Sequence, residues 1–239
     1  PLEKIIPLME KAGDRNDIPS LALHDRPHQR ELSLSKRKEI IQAYYASITL
    51  MDACVGKLMD ALDKLKLTEN TIVVFFSDHG YHLGHHGLWQ KSDLFEGSAR
   101  VPMIISVPGE RTVGKKSTSL VELIDLYPTL AELCGLDKPS HLKGKSLVPI
   151  LKDTTKSVRE AAFTVTRARG KFSKKAVGQK PLGRTIRTSR YRYTEWGHDG
   201  KHGVELYDYK TDPLEYINLA RRKGNESLVK LMQNKLHAT

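Results

Sequence analysis

The chain reads as an α/β protein, and three observations carry that reading. Residues 71–77, Thr-Ile-Val-Val-Phe-Phe-Ser, are almost wholly apolar and rich in β-branched and aromatic side chains. Such a run suits a central parallel strand covered on both faces. From about Lys36 to Leu65, the residues Ile41, Tyr44, Ile48, Met51, Val55, Leu58, Leu62 and Leu65 recur in alternating steps of three and four. That is the stripe of an amphipathic helix packed on a sheet. Pro102–Val107 reads as a second buried strand ended by Pro108-Gly109, and Leu126–Leu133 as a helix stopped by Gly135. Helix, strand, strand and helix in this order make a layered α/β unit.

The flanking segments read differently. Residues 1–35 have scattered prolines and weak periodicity, which predicts loops and a short helix. After about Leu151 the pattern turns to short alternating or aromatic stretches at Phe163–Val165, Tyr191–Tyr193 and Glu205–Tyr209, followed by a helical stretch from Glu226 to Leu236. This predicts a small antiparallel sheet with one helix. The expected division is therefore 1–152 for the α/β core and 153–239 for a C-terminal subdomain, with no internal repeat.

Composition sets outer bounds on function. The 239 residues are 39% hydrophobic and 28% charged, and no apolar stretch approaches the roughly 20 residues of a membrane-spanning helix. A formal charge of +11 favours an acidic partner such as a polyanionic glycan, nucleic acid or an anionic membrane, although a generically basic surface would give the same figure. Ten Lys or Arg and no acidic residue lie between Arg167 and Arg192. The aromatic residues there, Phe172 and Tyr191, do not make a stacking platform for bases, so nucleic acid is not expected as a partner. A glycan-facing role and a solvated hairpin are both compatible with this run, and Lys171–Gly183 reads as a mobile loop. Two cysteines identify neither a redox compartment nor a disulfide framework, and Asn225-Glu226-Ser227 is a glycosylation pattern common by chance.

Chemistry concentrates at the end of the first strand, in SDHGYHLGHHGLWQKSDLF, residues 77–95. Ligand sites in open α/β sheets lie beyond the carboxyl ends of the strands. There Asp78 and His79 emerge together, an anionic oxygen donor beside an imidazole that could hold a divalent cation. A hard ion such as Ca²⁺ takes about six to eight oxygen ligands, so two side chains cannot complete its site. Gly80, Gly84 and Gly87 let the chain turn tightly, and the loop they shape carries Tyr81, His82, His85, His86 and Lys91. His82 and His86 have the i, i+4 spacing of a helical zinc pair. The glycines weaken a helix there and no general-base Glu lies between them, which favours hydrogen bonds within the loop or the lining of a substrate pocket.

Residues 71–109 resemble the block around the second metal-binding motif of sulfatases of the alkaline phosphatase superfamily, most closely the iduronate-2-sulfatase-like branch. AYYASITLMDACVGKLMDALDKL upstream, and SLVELIDLYPTLAELCG, RTSRYRYTEW and ELYDYKTDPLEYINLA downstream, extend the resemblance over nearly the whole chain. It implies part of an alkaline phosphatase-like α/β/α sandwich with a smaller C-terminal subdomain of antiparallel sheet plus helix. It further implies that Asp78 and His79 complete a Ca²⁺ site and that Lys91, thirteen residues after Asp78, contacts the sulfate ester. An ammonium there neutralises charge developing on the sulfuryl and leaving oxygens. Tyr81 and His82 are expected to shape the substrate pocket, and Glu96 with Arg100 to form an ion pair or loop anchor. Asp52 is expected either buried or exposed on its helix.

The family's Cys-x-Pro-Ser-Arg motif, source of its formylglycine nucleophile, and its pair of metal-binding aspartates do not occur in this sequence; Cys54 and Cys134 stand in other contexts. The chain thus resembles the C-terminal half of a sulfatase, inactive by itself. Its implied partners are the N-terminal half of that domain and a sulfated carbohydrate, and its implied compartment is periplasmic, extracellular or lysosomal. Two alternatives stay open: a metal-dependent phosphatase or phosphodiesterase of the same superfamily, and a non-catalytic carbohydrate-binding remnant.

Overall fold

A computed structural model describes residues 2–8, 11–23, 29, 31–110, 112, 114–168 and 180–238. The chain divides into two compact units: 1–15, 24–92 and 96–109 form the first, and 16–23, 93–95 and 110–239 the second. The seam drawn from the sequence at 152/153 falls inside the second unit. Arg159 explains why, because its guanidinium pairs with both Glu122 and Asp125, while Glu122 accepts the Phe163 backbone N–H. Residues on either side of 152 are thus stitched together through buried charges.

In the first unit, α1 spans Leu34–Lys64, with Ser33 as its N-cap accepting the Lys36 N–H at 3.2 Å. Such a cap satisfies a donor the first turn leaves open. Strands β1 (Val73–Phe76) and β2 (Met103–Ser106) follow, with a short helix α2 at Glu96–Ala99 between them. Among the described residues, the parallel pairing expected for residues 71–77 does not occur. β1 pairs antiparallel with β2, Val73 opposite Ser106 and Phe76 opposite Met103. A continuous apolar run announces cover on both faces but carries no information on strand direction.

The expected packing of α1 on a sheet is also not met among the described residues. Of this helix only Ile41 is buried, and Ile48, Met51, Leu58 and Leu65 of the stripe are exposed, Leu58 by 67%. Ile104 of β2 and Phe76 of β1 are likewise uncovered. Asp52 is on the exposed side.

In the second unit, α3 spans Leu126–Leu133, as the periodicity predicts. Gly135 ends it at φ +65°, with the Leu136 N–H reaching back to the Ala131 carbonyl, a left-handed stop that glycine adopts without strain. A further helix, α4 at Val148–Lys152, has Pro149 in its first turn. Four antiparallel strands then run in simple order: β3 (Ala161–Arg167), β4 (Leu182–Thr188), β5 (Tyr191–Trp196) and β6 (Val204–Asp208). β4 lies within the basic run. Residues 169–179, most of the predicted mobile loop, lie outside the described residues.

One face of this sheet is closed by α5 (Glu226–His237), which packs Met232 and Leu236 on Ile186, Tyr193 and Leu206. The opposite face presents Thr185, Arg192, Thr194, Trp196, Glu205 and Tyr207, all buried. Leu94 and Phe95 are also buried, and a Cβ on Gly183 would meet both the Trp196 ring and Leu94. Cover on both faces explains why β5 and β6 are buried at successive positions instead of alternating.

Arg192 is the hinge of that second face. It is 1% exposed, donates to Glu215, to the Leu94 carbonyl and to Thr194 Oγ1, and lies over the Phe95 and Tyr207 rings. Burial opposes its charge, but Glu215 and the other acidic groups nearby outweigh it and raise the guanidinium pKa. Glu205 accepts from Trp196 Nε1 at 2.9 Å and from the Tyr207 hydroxyl at 3.1 Å. Burial is the largest influence on its carboxyl and raises its pKa.

Candidate functional site at the end of strand β1

The site lies within the first unit, at the carboxyl end of β1. Ser77 Oγ donates to the His79 carbonyl at 2.8 Å, and the Gly80 N–H donates to the Ser98 carbonyl at 2.9 Å. The chain passes so close to α2 here that a Cβ on Gly80 would stand 2.1 Å from the Gly97 carbonyl oxygen. Only glycine fits, and the strand end is thereby fixed against α2.

Asp78, His79 and Lys91 come together at this point. The Lys91 ammonium is 2.6 Å from His79 Nε2, and Asp78 Oδ2 is 3.5 Å from the same nitrogen. His79 Nδ1 is 3.0 Å from the Gly80 carbonyl oxygen. A carbonyl only accepts, so Nδ1 carries the proton that it receives, and the Nε2 lone pair faces outward in the neutral ring. This is how a metal-binding histidine is commonly oriented, with one nitrogen tied to a carbonyl and the other presented. The Asp78 side chain is 81% exposed.

These donors fit part of a hard-cation site. One carboxylate offers one or two oxygens and the imidazole one nitrogen donor, fewer than the roughly six to eight oxygen ligands that Ca²⁺ takes. Among the described residues, no group of three or more His, Cys, Asp or Glu side chains could hold a metal ion. The Lys91 ammonium is placed to donate to the His79 lone pair.

Other residues singled out in the sequence take different places. Tyr81 is partly exposed, its ring 5.8 Å from that of Tyr44 and its hydroxyl donating to the Trp89 carbonyl at 3.0 Å. His82 does not meet the expectation of a substrate contact. It is 1% exposed, and a Cβ on Gly97 would come within 2.7 Å of its ring, so the imidazole is an internal packing element of the loop. His85 and His86 have their rings 5.6 Å and 6.3 Å from His82 in edge-on contact. Arg100 and Glu96 approach to 3.9 Å, a loose pair with Arg100 largely exposed.

Sequence reasoning missed Asp14. Its buried carboxylate lies 3.0 Å from His86 Nδ1, across 72 residues of chain. A lone aspartate in a loop segment offers no periodicity or motif by which it could have been found.

Comparison with known proteins bears on this geometry. Residues 10–136 match the sulfatase family model, and residues 84–239 match the model for the C-terminal region of N-sulphoglucosamine sulphohydrolase. A sulfatase of Formosa agariphila is 32% identical over the whole chain, which covers 46% of that protein. Human iduronate 2-sulfatase is 30% identical over 82% of the chain and 46% of its own length. Among solved structures, one described as in complex with its substrate D-glucosamine-2-N,6-O-disulfate superposes with a TM-score of 0.75 at 28% identity, covering 86% of this chain and 41% of that one. The phosphonate monoester hydrolase of Agrobacterium radiobacter superposes with a TM-score of 0.77, also at 28% identity, covering 87% and 42%. The chain spans about half the length of the curated relatives it matches.

Proposed function

The chain belongs to the sulfatase family, with an alkaline phosphatase-like α/β fold, and from that premise we propose that its protein hydrolyses sulfate monoesters on a sulfated carbohydrate. The observation that carries the proposal is the convergence of Lys91, His79 and Asp78 at the end of β1. Relatives named for iduronate 2-sulfate and for a disulfated glucosamine support the class of substrate. The basic balance of the chain favours an acidic one.

Each side chain has a role in this reading. Asp78 and His79 would hold Ca²⁺ together with ligands outside this chain. Bound there, the cation supplies positive charge that stabilises anionic oxygens of the ester and of the attacking group. The Gly80 carbonyl fixes the His79 tautomer so that Nε2 faces the site. Lys91 donates to an oxygen of the sulfate group and offsets charge as the ester bond to the leaving oxygen breaks. The partly exposed Tyr81 ring borders the pocket, held by its hydroxyl.

The nucleophile, a formylglycine by family likeness, is contributed by a segment not contained in this sequence. The same reading assigns the uncovered apolar side chains of α1, β1 and β2 to contact with the remaining half of the domain. Placement in the periplasm, a lysosome or the extracellular space goes with it, and no helix among the described residues is long and apolar enough to cross a membrane. A second reading, phosphonate or phosphate ester hydrolysis, is favoured by the likeness to the phosphonate monoester hydrolase.

One experiment separates the two readings. The protein carrying this chain is assayed on matched aryl sulfate, aryl phosphate and phenylphosphonate esters, before and after chelation and with Ca²⁺ or Zn²⁺ restored. Sulfate turnover restored by Ca²⁺ is expected. Turnover confined to the phosphorus esters would overturn the sulfatase reading. The 239-residue chain alone should turn over none of them.

A further inference from the structure

We infer that Asp14 is a positioning residue for the Lys91 loop, acting through a buried pair with His86. The inference rests on the proposed role of Lys91, and the geometry behind it is independent of that role. Residues 80–91 form a closed loop whose two limbs are laced together: the His82 N–H donates to the Gln90 carbonyl and the Gly84 N–H to the Leu88 carbonyl, both at 2.9 Å. The Trp89 carbonyl receives two side chains, the Tyr81 hydroxyl at 3.0 Å and Gln29 Nε2 at 3.1 Å. Lys91 is the first residue beyond this lacing.

The tip of the loop is its least favourable part. Gly84, His86 and Gly87 all have positive φ, and His86, at +52°, is the one that pays a steric penalty for it. A non-glycine residue persists in that region only where its surroundings over-determine it. The Asp14 carboxylate supplies the constraint. Its oxygens lie 3.0 and 3.2 Å from His86 Nδ1, and both side chains are almost wholly shielded from water. Asp14 is itself held by its own backbone N–H, which donates to the Lys11 carbonyl at 3.0 Å. A charge-assisted bond in such a dry setting is strong and directional. It fixes the tip from outside the loop, and the laced limbs carry that constraint to Lys91 and to the 2.6 Å contact with His79.

The test uses the protein carrying this chain, with Asp14→Ala and the isosteric Asp14→Asn. Amide hydrogen exchange is followed at His82, Gly84 and Leu88, the donors inside the loop, with the strands β4–β6 as internal control. Asp14→Ala should speed exchange at the three loop amides by about tenfold or more while the control strands change little. Asp14→Asn, which still accepts from His86, should fall between. On an aryl sulfate, Asp14→Ala should lower kcat by about tenfold or more, with Asp14→Asn restoring part of it. Loop protection within threefold of the parent would overturn the latch. Faster loop exchange with unchanged kcat would overturn the positioning role. A parent protein that hydrolyses no sulfate ester would sink the functional reading, and the exchange measurement would still decide whether Asp14 holds the loop.

Discussion

Replacing Arg192 by methionine removes a buried guanidinium that meets Glu215, Thr194 and the Leu94 carbonyl on the inner face of the sheet. Methionine fills similar volume, so the cost is electrostatic. Glu215, itself buried and still accepting from the Tyr209 hydroxyl, loses the cation that offsets its charge, and the Leu94 carbonyl loses the donor that Arg192 supplies. Removing one partner of a buried pair costs about 3–5 kcal/mol, because the other charge remains desolvated. The stacking of Arg192 over Phe95 and Tyr207 adds about 1 kcal/mol to what is lost. Urea unfolding of the protein carrying this chain, read by Trp fluorescence, should therefore show destabilisation of about 3–6 kcal/mol in the transition of the second unit. Glu215→Leu alone should cost a similar amount, while the Arg192→Met, Glu215→Leu double variant should recover most of the loss, to within roughly 2 kcal/mol of the parent. A single Arg192→Met that loses less than about 1 kcal/mol, or a double variant as poor as the sum of the singles, would refute the view that these two charges are interdependent.

Four further outcomes are expected. Lys91→Ala should lower kcat/KM on an aryl sulfate by the equivalent of about 2–4 kcal/mol with calcium content and thermal melting intact, and a loss under about threefold would make Lys91 an ordinary loop lysine. Asp78→Ala should weaken Ca²⁺ binding by calorimetry and abolish turnover, with His79→Ala acting in the same direction less severely. Gly97→Ala drives a methyl against the His82 ring, 2.7 Å from its nearest atom, and should lower stability by about 1–3 kcal/mol in thermal melting, a cost that His82→Ala in the same background should relieve. Hydrogen bonding to Arg190 holds the Asp208 carboxyl below its ordinary value of 3.8. Its pKa is depressed on folding, so its contribution is present above that value and lost as pH falls through the folded pKa; Asp208→Asn should flatten the acid limb of a stability-against-pH curve.

How much of this was legible beforehand depended on the kind of signal each residue carries. The helices at 34–64, 126–133 and 226–237 are written in apolar spacing and in their stops, and both short strands of the first unit are written in β-branched runs. Strand direction was not, because pairing is decided between segments and leaves no mark within one. β4 was obscured by its arginines. Arg184 and Arg187 belong to a run read as either glycan-facing or a solvated hairpin, yet Arg184 pairs with buried Glu195 and Arg187 stacks over Tyr209, partners that sequence order does not reveal. Asp78, His79 and Lys91 stood out through motif and resemblance, whereas His82 looked like their equal and is internal. A histidine's letter does not say which way its loop folds.

The bond from Arg192 to the Leu94 carbonyl spans 98 residues, and during synthesis its two ends are made at different times. At roughly 5–20 residues per second, about 5–20 s separate the joining of Leu94 to the growing chain from that of Arg192. Through that interval Leu94 and Phe95 have no sheet to enter, and the stretch just before them carries the loop that ends at Lys91. The newborn chain thus carries two apolar side chains, Leu94 and Phe95, that its own later sequence must cover.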